Sequence, residues 1–515
     1  MSIQRVFAFD LGASGGKSFA GLFENGRFTM TEIHRFSHEG VPFYIADRTG
    51  QVAERAVWDD TLIYHNILMG LHAYRREVSD TLDSIGIDTW GADGHIISAD
   101  GDMLGKMYCY RDHRLDAMCD EVKARIPAAR VYEITGIHFQ PFNISNQLLW
   151  FVRNRPYLLL PGCRFVPVPS LLYYYLGGTI KVDSSWASVT QLMEAKTRQW
   201  SDEMLSKLGI PRSIMPEIVA PGTPVGRLLA PLAAQVGLNT AALTAVGAHD
   251  TASAFAAAPV DNPDTALIIS SGTWSLVGRL VPEPITNAAA LAVNLSNEGG
   301  IGNIRLLKNC MGGWLVQELR RAWRNADGRE TEWPELYRLA AATPAFGAFI
   351  DPDDTAFYNP SNMENAMAEF CKRTGQVAPK DRGGYVRMAY ESLALKYRAI
   401  NEDINRVSGT TTGVVHIVGG GSRNEMLNQF TANACGVPVL AGPVEATAVG
   451  NIMVQAMGLG IVRSMLEAMP LIKTAFPIRE YHPVHTAAWD QAFARFKTVQ
   501  AGTRTGNAQV VKATS

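Results

Sequence analysis

The first apolar run of the chain reads as a strand that ends in a glycine turn. Residues 7–12 are mostly hydrophobic, with Asp10 near the end, and residues 18–23 continue beyond the glycines with an alternating pattern. A period of two is typical of a strand with one buried face, so the pattern predicts a β-hairpin with Asp10 on its rim. Turn residues at 24–27 and a further alternating segment at 28–35 predict a third antiparallel strand.

A second apolar hairpin in the other half of the chain repeats this plan. Residues 268–277 run from Ile-Ile through a Ser-Ser-Gly-Thr turn to Ser-Leu-Val. Backbone amides and hydroxyl groups in such turns can hold anions. Either turn alone is equally typical of an ordinary glycine turn. The pair, at matching places in two similar halves, predicts two turns that bind the phosphates of a nucleotide.

Helical and strand patterns follow each hairpin in the same order. Residues 58–78 have helical apolar spacing and lead into a short buried strand at 84–88. In the second half, an amphipathic helix is predicted around 393–404, before a strand at 414–418 and the glycines 419–421. The prediction is an α/β protein in which both halves run from hairpin to helices, strand and glycine turn.

A proline-containing segment at 259–263 marks the predicted domain boundary. The pattern divides the chain into an N-terminal domain of residues 1–258 and a C-terminal domain of residues 259–500. The last stretch, 501–515, lacks core periodicity and is predicted to be a frayed tail.

The composition points to a small-molecule partner. The 515 residues include 47 basic and 49 acidic side chains, and this net charge of -2 creates no field that favours nucleic acid or an anionic membrane. Prolines and an arginine interrupt the most apolar region, 157–176, so no membrane span is predicted. Six scattered cysteines without zinc spacing, and a start that lacks a signal-peptide pattern, favour a cytoplasmic location. The sequence does not indicate the oligomeric state.

Two charged segments are candidates for the chemistry. Gly16-Lys17-Ser18 looks like the end of a P-loop, but that motif needs glycine where Leu11 stands, so phosphate would instead meet Ser14, the turn amides and the Lys17 ammonium. His249-Asp250-Thr251 follows an apolar strand predicted at 245–248. An aspartate just past a strand end suits a ligand crevice, and it is equally typical of a helix N-cap.

Two further segments follow predicted strands. Aromatic and charged residues between Asp88 and Asp93 suit a polyol, or else simply pack in the core. The glycines 419–421 open a helix and let backbone approach a ligand closely. A dinucleotide fingerprint would need glycine where Asn424 stands, so these glycines are assigned to the nucleoside end of a ligand.

In order along the chain, these motifs resemble the FGGY carbohydrate kinases. The matching stretches, which together extend from about residue 6 to about residue 455, are Asp10 to Ser14, Ile85 to Asp93, Tyr110 to Asp112, Pro141 to Asn143, His249 to Ala254, Ser270 to Leu276, Asn297 to Gly300, Lys308-Asn309, Ile417 to Gly421 and Gly442 to Ala446.

The resemblance implies two domains of the actin-like ATPase (ribonuclease H-like) fold, each a mixed sheet flanked by helices, with the active site in the cleft between them. It also implies ATP and Mg²⁺ as cofactors. By the same carry-over, the catalytic base is Asp250, and the sugar contacts are Gly91, His249, Asp250, Thr251 and Asn309. The ATP contacts are Ala13, Ser14, Gly15, Gly16, Lys17, Thr273, Gln317 and Gly420, and Asp10 is expected to hold Mg²⁺ through water.

The implied reaction is transfer of the ATP γ-phosphate to the 1-hydroxyl of a ketose. L-Rhamnulose is the expected acceptor, in rhamnose metabolism, with L-fuculose, L-xylulose or another polyol as alternatives. The chain departs from the family pattern at Lys17, at Gly94-His95 and at Ser170, which leaves the choice of sugar open. An actin-like or chaperone-like ATPase is the alternative from another functional class.

Overall fold

The computed structural model describes residues 3–46 and 49–513, with side chains as far as residue 501. The chain forms two compact units. The first unit contains Met1–Asp261, Leu280–Leu306 and Glu445–Pro477, and the second unit contains Asn262–Arg279, Leu307–Val444 and Ile478–Ser515. Two late segments therefore pack with the N-terminal part of the chain, which the predicted division after residue 258 did not include. That division into domains stays a prediction.

Strands and helices are spread over both units. The strands are β1 (Gln4–Gly12), β2 (Gly15–Glu24), β3 (Arg27–Ser37), β4 (Val41–Ala46), β5 (Val52–Val57), β6 (Ser84–Thr89), β7 (Gly94–Ile97), β8 (Arg164–Pro167), β9 (Lys181–Asp183), β10 (Glu217–Val219), β11 (Pro224–Arg227), β12 (Ala242–Thr244), β13 (Ala266–Ser271), β14 (Trp274–Val281), β15 (Ser296–Gly299), β16 (Ile304–Met311), β17 (Val414–Val418), β18 (Val439–Ala441) and β19 (Arg479–Tyr481). The helices are α1 (Asp60–Glu77), α2 (Met118–Arg125), α3 (Ala128–Thr135), α4 (Ile144–Asn154), α5 (Val168–Leu176), α6 (Ser184–Ser188), α7 (Asp202–Leu208), α8 (Ala230–Val236), α9 (Asp250–Ala256), α10 (Ala288–Ala292), α11 (Trp314–Asp327), α12 (Trp333–Ala342), α13 (Met363–Arg373), α14 (Arg382–Ser408), α15 (Glu425–Cys435), α16 (Ala446–Gly458), α17 (Met465–Ala475) and α18 (Thr486–Ala513).

A six-stranded mixed sheet forms the centre of the first unit, in the order β11-β12-β6-β1-β2-β3. Strands β1, β6 and β12 are parallel, whereas β2 and β3 continue from β1 as an antiparallel meander. The parallel register places Asp10 beside Asp88, so two carboxylates lie next to each other near the ends of neighbouring strands. This juxtaposition is the basis of the candidate site in the first unit.

A different helix covers each face of this sheet, and the side chains of β1 point alternately to the two helices. Phe7, Phe9 and Leu11 are buried in one cluster with apolar residues of α1. Helix α16 covers the other face, where its Ile452 side chain lies close to Val6. Because side chains of a strand point alternately to the two faces, Asp10 belongs to the α16 side.

The second sheet has the order β15-β16-β14-β13-β17-β18-β19. Strands β13, β17 and β18 are parallel, and β14 and β19 are antiparallel to their neighbours β13 and β18. As in the first sheet, a hairpin (β13 and β14) is followed by a central parallel strand, β17, which ends at a glycine turn. The second unit thus repeats the plan of the first.

Most predicted elements are confirmed, including both hairpins, the helix at α1 and the strand at β17. The strand predicted at 245–248 is wrong, because β12 ends at Thr244, where the backbone oxygen accepts a hydrogen bond from the Tyr173 hydroxyl. Helix α18 is assigned as far as Ala513. The frayed tail predicted at 501–515 falls almost wholly on residues whose side chains lie outside the described part, so it stays a prediction.

No helix within the described residues is both long enough and apolar enough to cross a membrane. All six cysteines are free thiols.

Candidate functional site

The β1–β2 hairpin presents its turn, Ala13-Ser14, as the first candidate phosphate site. His38, which directly follows β3, holds the turn in place. Its ring nitrogen Nε2 lies 2.8 Å from the Gly12 oxygen, and its backbone N–H donates to the Ser14 oxygen at 3.3 Å. A side chain at Gly15 would lie 2.6 Å from the Phe36 oxygen, so this strand tolerates only glycine there. The backbone of the turn is therefore positioned by its neighbours.

The Lys17 ammonium, which the sequence analysis assigned to phosphate, forms an ion pair in the structure. Its Nζ atom lies 2.7 Å from the Glu445 Oε2 atom, at the start of α16, and both side chains are about a quarter exposed, at 28% and 24%. The sequence contained a sign of this partner, since Glu445 belongs to one of the matching stretches, but 428 residues separate the two in the chain. The pair links the β1–β2 hairpin to the start of α16.

The half-buried Asp10 and the fully buried Asp88 form a carboxylate pair beside this hairpin. The Asp88 Oδ2 atom accepts a hydrogen bond from Asn451 Nδ2 at 2.6 Å, whereas its buried Oδ1 atom has no hydrogen-bond partner. Burial raises the pKa of Asp10 to about 7, and the charge of Asp250 adds to this effect while Lys17 opposes it. Sequence reasoning considered the segment that begins at Asp88 for a polyol or for the core, and did not pair this carboxylate with Asp10.

This carboxylate set fits a magnesium ion. Mg²⁺ prefers carboxylate and water oxygens and is usually bound by only one or two carboxylates. Asp10 and the unpartnered Asp88 oxygen supply two such groups. Among the described residues, no group of three or more His, Cys, Asp or Glu side chains is arranged to hold a metal directly, so this fit depends on water ligands.

Asp250 is the first residue of α9 and lies in the same unit as these carboxylates. Its Oδ1 atom accepts hydrogen bonds from the Thr251 N–H at 2.5 Å and from the Thr251 hydroxyl at 3.0 Å. His249, and not Asp250, occupies the N-cap position, so the capping alternative for Asp250 is wrong. Burial raises the pKa of Asp250, which makes its carboxylate a stronger base than an exposed aspartate.

Gly91 and His249 meet beside Asp250. The His249 Nε2 atom lies 3.5 Å from Asp250 Oδ1, and a Cβ atom on Gly91 would lie only 2.7 Å from the same nitrogen. Any side chain at position 91 would displace the imidazole ring. The structure therefore brings together four of the five predicted sugar contacts, from Gly91 to Thr251, within the first unit.

Aromatic residues pack beside this group. The rings of Trp58 and Trp90 are 4.6 Å apart, and both indole N–H groups donate to Asp93 Oδ2, at 2.7 and 3.1 Å. The Tyr110 N–H donates to the same oxygen at 3.0 Å, and Gln147 donates to Oδ1. Trp58, Trp90 and Asp93 are all buried, so these side chains form part of the core of the first unit, as the packing alternative proposed.

The departures at Gly94, His95 and Ser170 lie in elements next to these aromatic residues. Strand β7, which contains the first two, pairs with β8, and a Cβ atom on Gly94 would lie 2.5 Å from the Phe165 ring. The Ser170 hydroxyl donates to the Lys181 oxygen at 2.6 Å. Contacts within the first unit thus accommodate Gly94 and Ser170.

The second unit contains its own cluster of predicted ATP contacts. Thr273 lies in the β13–β14 turn, where its oxygen accepts from Gly312 N at 3.1 Å and its hydroxyl lies 3.4 Å from Gln317 Oε1. The glycine pair before α11 fits closely under this turn, since a Cβ atom on Gly312 would lie 2.7 Å from Ser275 Oγ. The β13–β14 turn and α11 thus bring Thr273 and Gln317 together.

Gly420 and Gly421 reach the same hairpin from the end of β17. A Cβ atom on Gly421 would overlap the Ser271 hydroxyl, at the end of β13, whereas a Cβ atom on Gly420 would meet nothing within 4 Å. Asn309, on β16, has a buried amide oxygen without a hydrogen-bond partner. Asn309 belongs to the second unit, whereas the other four predicted sugar contacts belong to the first unit.

Sequence reasoning missed a buried ionic group behind Asp250. Arg305 and Glu298 are both buried, and the Arg305 Nη2 atom lies 3.2 Å from Glu298 Oε2 and 3.1 Å from His249 Nδ1. A signal existed, since an arginine inside the apolar run of residues 304–307 is rarely buried without a partner.

Comparison with known proteins finds matches in both halves of the chain. Residues 29–256 match the model of the FGGY family of carbohydrate kinases, N-terminal domain, and residues 267–459 match that of its C-terminal domain. A rhamnulokinase of Bacteroides thetaiotaomicron is 39% identical over 96% of this chain and 99% of its own length. A rhamnulokinase of Pectobacterium carotovorum is 37% identical over 97% of both chains.

Solved structures show the same fold at low sequence identity. A ligand-bound xylulose kinase from Lactobacillus acidophilus has a TM-score of 0.77 at 14% identity, over 98% of this chain and 100% of that chain. The glycerol kinase of Plasmodium falciparum with ADP has a TM-score of 0.73 at 15% identity, over 96% and 98%. These likenesses confirm the predicted actin-like ATPase fold with mixed sheets and flanking helices. With family models matched in both halves and relatives this similar over nearly its whole length, the chain belongs to the FGGY family of carbohydrate kinases and is an ATP-dependent sugar kinase, as its motifs predicted.

Proposed function

We propose that this enzyme transfers the γ-phosphate of ATP to the 1-hydroxyl of L-rhamnulose, yielding L-rhamnulose 1-phosphate and ADP. Relatives that are called rhamnulokinases, at 33 to 39% identity over more than nine-tenths of the chain, support this choice of sugar. The observation that carries the chemistry is the position of the Asp250 carboxylate, which is one-third exposed (33%) and lies beside His249 and Gly91 in the unit that also bears the Asp10 hairpin.

In the proposed mechanism, Asp250 is the general base. A sugar hydroxyl is a weak nucleophile near neutral pH, and a carboxylate within hydrogen-bond reach can accept its proton as the new bond forms. The oxygen–phosphorus bond to the sugar forms, the bond from the γ-phosphorus to the bridging oxygen of ADP breaks, and the hydroxyl proton goes to Asp250. Burial of Asp250, which raises its pKa, favours this proton transfer.

The remaining predicted residues have binding roles in this proposal. Gly91, His249, Thr251 and Asn309 contact the sugar. Ala13 to Lys17 and Thr273 hold the phosphates through backbone amides, hydroxyl groups and the Lys17 ammonium, and Gln317 and Gly420 contact the adenosine. Since phosphoryl transfer depends mainly on positioning and charge neutralisation, donors of these types suit the reaction.

Asp10 would hold Mg²⁺ through water, with the Asp88 carboxylate next to it. A bound magnesium ion would neutralise negative charge on the ATP phosphates. Lys17 would supply part of the same neutralisation, and its ion pair with Glu445 keeps the ammonium near the hairpin.

The test is a coupled assay of ADP release with L-rhamnulose, L-fuculose, L-xylulose and glycerol as acceptors. We expect the highest kcat/KM with L-rhamnulose. A higher value with another ketose would reject the choice of sugar and leave the sugar kinase intact. ATP hydrolysis that no sugar stimulates would instead favour the actin-like or chaperone-like alternative. A cytoplasmic location, and the absence of nucleic acid and membrane partners, stay predictions from the sequence.

A further inference from the structure

A fully buried arginine lies behind the proposed base, on the far side of His249. Arg305, on β16, is inaccessible to solvent, and its Nε atom donates to the Gly299 oxygen at 2.9 Å. Its guanidinium group also lies 5.8 Å from the centroid of the Phe255 ring, on α9. Arg305 is thus held between β15 and the helix that begins at Asp250.

The contact between Arg305 and His249 determines where the imidazole proton lies. The Arg305 Nη2 atom is 3.1 Å from His249 Nδ1. A guanidinium group has only hydrogen-bond donors, so His249 Nδ1 has to be the acceptor. A neutral imidazole that accepts at Nδ1 carries its proton at Nε2.

The neighbouring carboxylate does not reverse this assignment. Glu298 Oε2 lies 3.5 Å from His249 Nδ1, and a proton on Nδ1 would favour that contact. The same proton would face an N–H group of Arg305 at the shorter distance of 3.1 Å. Burial and the charge of Arg305 both lower the pKa of His249 well below its usual value, so the doubly protonated ring is disfavoured as well.

We propose that Arg305 is a positioning residue that holds His249 in the neutral tautomer with its proton on Nε2, so that this N–H faces the Asp250 carboxylate and the sugar. Nε2 is the ring nitrogen next to Gly91 and 3.5 Å from Asp250 Oδ1. In this tautomer Nε2 has no free lone pair, so His249 donates a hydrogen bond toward the reaction centre and leaves Asp250 to accept the proton. The catalytic role that this inference gives to His249 rests on the proposed function.

The tautomer can be read directly by nitrogen NMR of the full-length protein labelled with ¹⁵N-histidine, without any substrate. The His249 signals are assigned by their loss in His249→Gln. We expect one protonated nitrogen, at Nε2, and an acceptor-type Nδ1 in the wild-type protein near neutral pH. A wild-type spectrum with the proton on Nδ1, or with both nitrogens protonated, would overturn the proposal.

Removal of the guanidinium group is the second arm of the experiment. In Arg305→Met, Nδ1 loses its donor and faces only Glu298, so we expect the proton to move to Nδ1. The matched control is Arg279→Met, since Arg279 is equally buried but bonds only to residues of the second unit, and it should leave the His249 signals unchanged. An unchanged tautomer in a folded Arg305→Met protein would contradict a positioning role.

Kinetics separate this inference from the proposed function. We expect Arg305→Met to lower kcat by about 10²-fold, because small displacements of reacting groups have effects of that size, and to leave the Kd for ATP unchanged. The Nε2–H tautomer in a wild-type protein that phosphorylates no ketose would reject the proposed function alone. If Arg305→Met does not fold, the wild-type spectrum still decides the tautomer.

Discussion

At the scale of single residues, the proposed reaction depends on the Asp250 carboxylate. Asp250→Asn keeps the shape of the side chain and an oxygen that can accept from Thr251, but removes the basic group. We expect kcat to fall by about 10² to 10⁴-fold, the usual range for a lost general base, with the Kd for ATP unchanged by calorimetry. Asp202→Asn is the matched control, since Asp202 is also the first residue of a helix, α7, but is exposed. Near-normal turnover of Asp250→Asn would remove it as the base.

The Asp93 carboxyl group provides a prediction about pH. Burial raises the pKa of Asp93 to about 6, against the opposing effect of its hydrogen-bond donors, whereas an unfolded aspartate has a pKa of about 3.9. The folded state therefore binds this proton more tightly than the unfolded chain, and the contribution of Asp93 to stability is lost as the pH rises from about 4 to 6. The difference of about two pKa units corresponds to about 3 kcal/mol.

Tryptophan fluorescence can detect this titration, because Trp58 and Trp90 both donate to Asp93. We expect a change in fluorescence with its midpoint near pH 6 in the wild-type protein and its absence in Asp93→Asn. Asp202→Asn, at the surface, should keep the wild-type titration. The same midpoint in Asp93→Asn would mean that another group titrates.

At the scale of elements, two adjacent glycines in the turn after β17 allow a packing effect and a ligand contact to be tested separately. A methyl group on Gly421 would overlap the Ser271 hydroxyl, so we expect Gly421→Ala to lower the free energy of unfolding by about 1 to 3 kcal/mol, as overpacking usually does, and to weaken ATP binding. Gly347→Ala is the control, since its Cβ atom would meet nothing within 4 Å. Denaturant unfolding and calorimetry with ATP measure both effects, and an unaffected Gly421→Ala would show that the turn can relax.

Gly420→Ala tests the adenosine contact itself. Its Cβ atom would meet no protein atom within 4 Å, so we expect unchanged thermal stability. If the adenosine lies against this backbone, as proposed, the added methyl group should raise the Kd for ATP by about tenfold or more, which corresponds to at least 1.4 kcal/mol. Unchanged affinity would place the adenosine elsewhere.

At the scale of the whole molecule, the first unit includes a segment, Glu445–Pro477, that begins well over a hundred residues after its N-terminal part ends at Asp261. Helix α16 covers one face of the first sheet, where Asn451 donates to Asp88 and Gln455 donates to the Phe7 oxygen at 3.1 Å. A fragment of residues 1–261 lacks this helix and would expose buried residues such as Val6 and Ala8.

We expect this fragment to bind the dye ANS and to lack a cooperative thermal transition, because the uncovered sheet face cannot be buried. The control is the chain truncated after residue 501, which keeps α16 and should unfold like the full-length protein. Cooperative unfolding of the 1–261 fragment without dye binding would show that the N-terminal part folds alone, as the predicted boundary after residue 258 would allow.

Local patterns in the sequence were sufficient to predict the two hairpins, the strand at β17 and the α/β class. Strand alternation, glycine turns and helical spacing are short-range signals, because they follow from backbone geometry over a few residues. Ordered motifs along the chain likewise indicated the family, and His249-Asp250-Thr251 indicated a candidate ligand site.

Only the tertiary structure decided which groups meet. The ion pair of Lys17 with Glu445, the carboxylate pair of Asp10 with Asp88 and the contact of Arg305 with His249 join residues far apart in the chain. Their charge states depend on burial and on these partners, and neither can be read from local spacing. The sequence by itself determined the elements and the kind of chemistry, whereas the folded structure determined the partners of each charged group, because a long-range contact leaves no periodic signal in the chain.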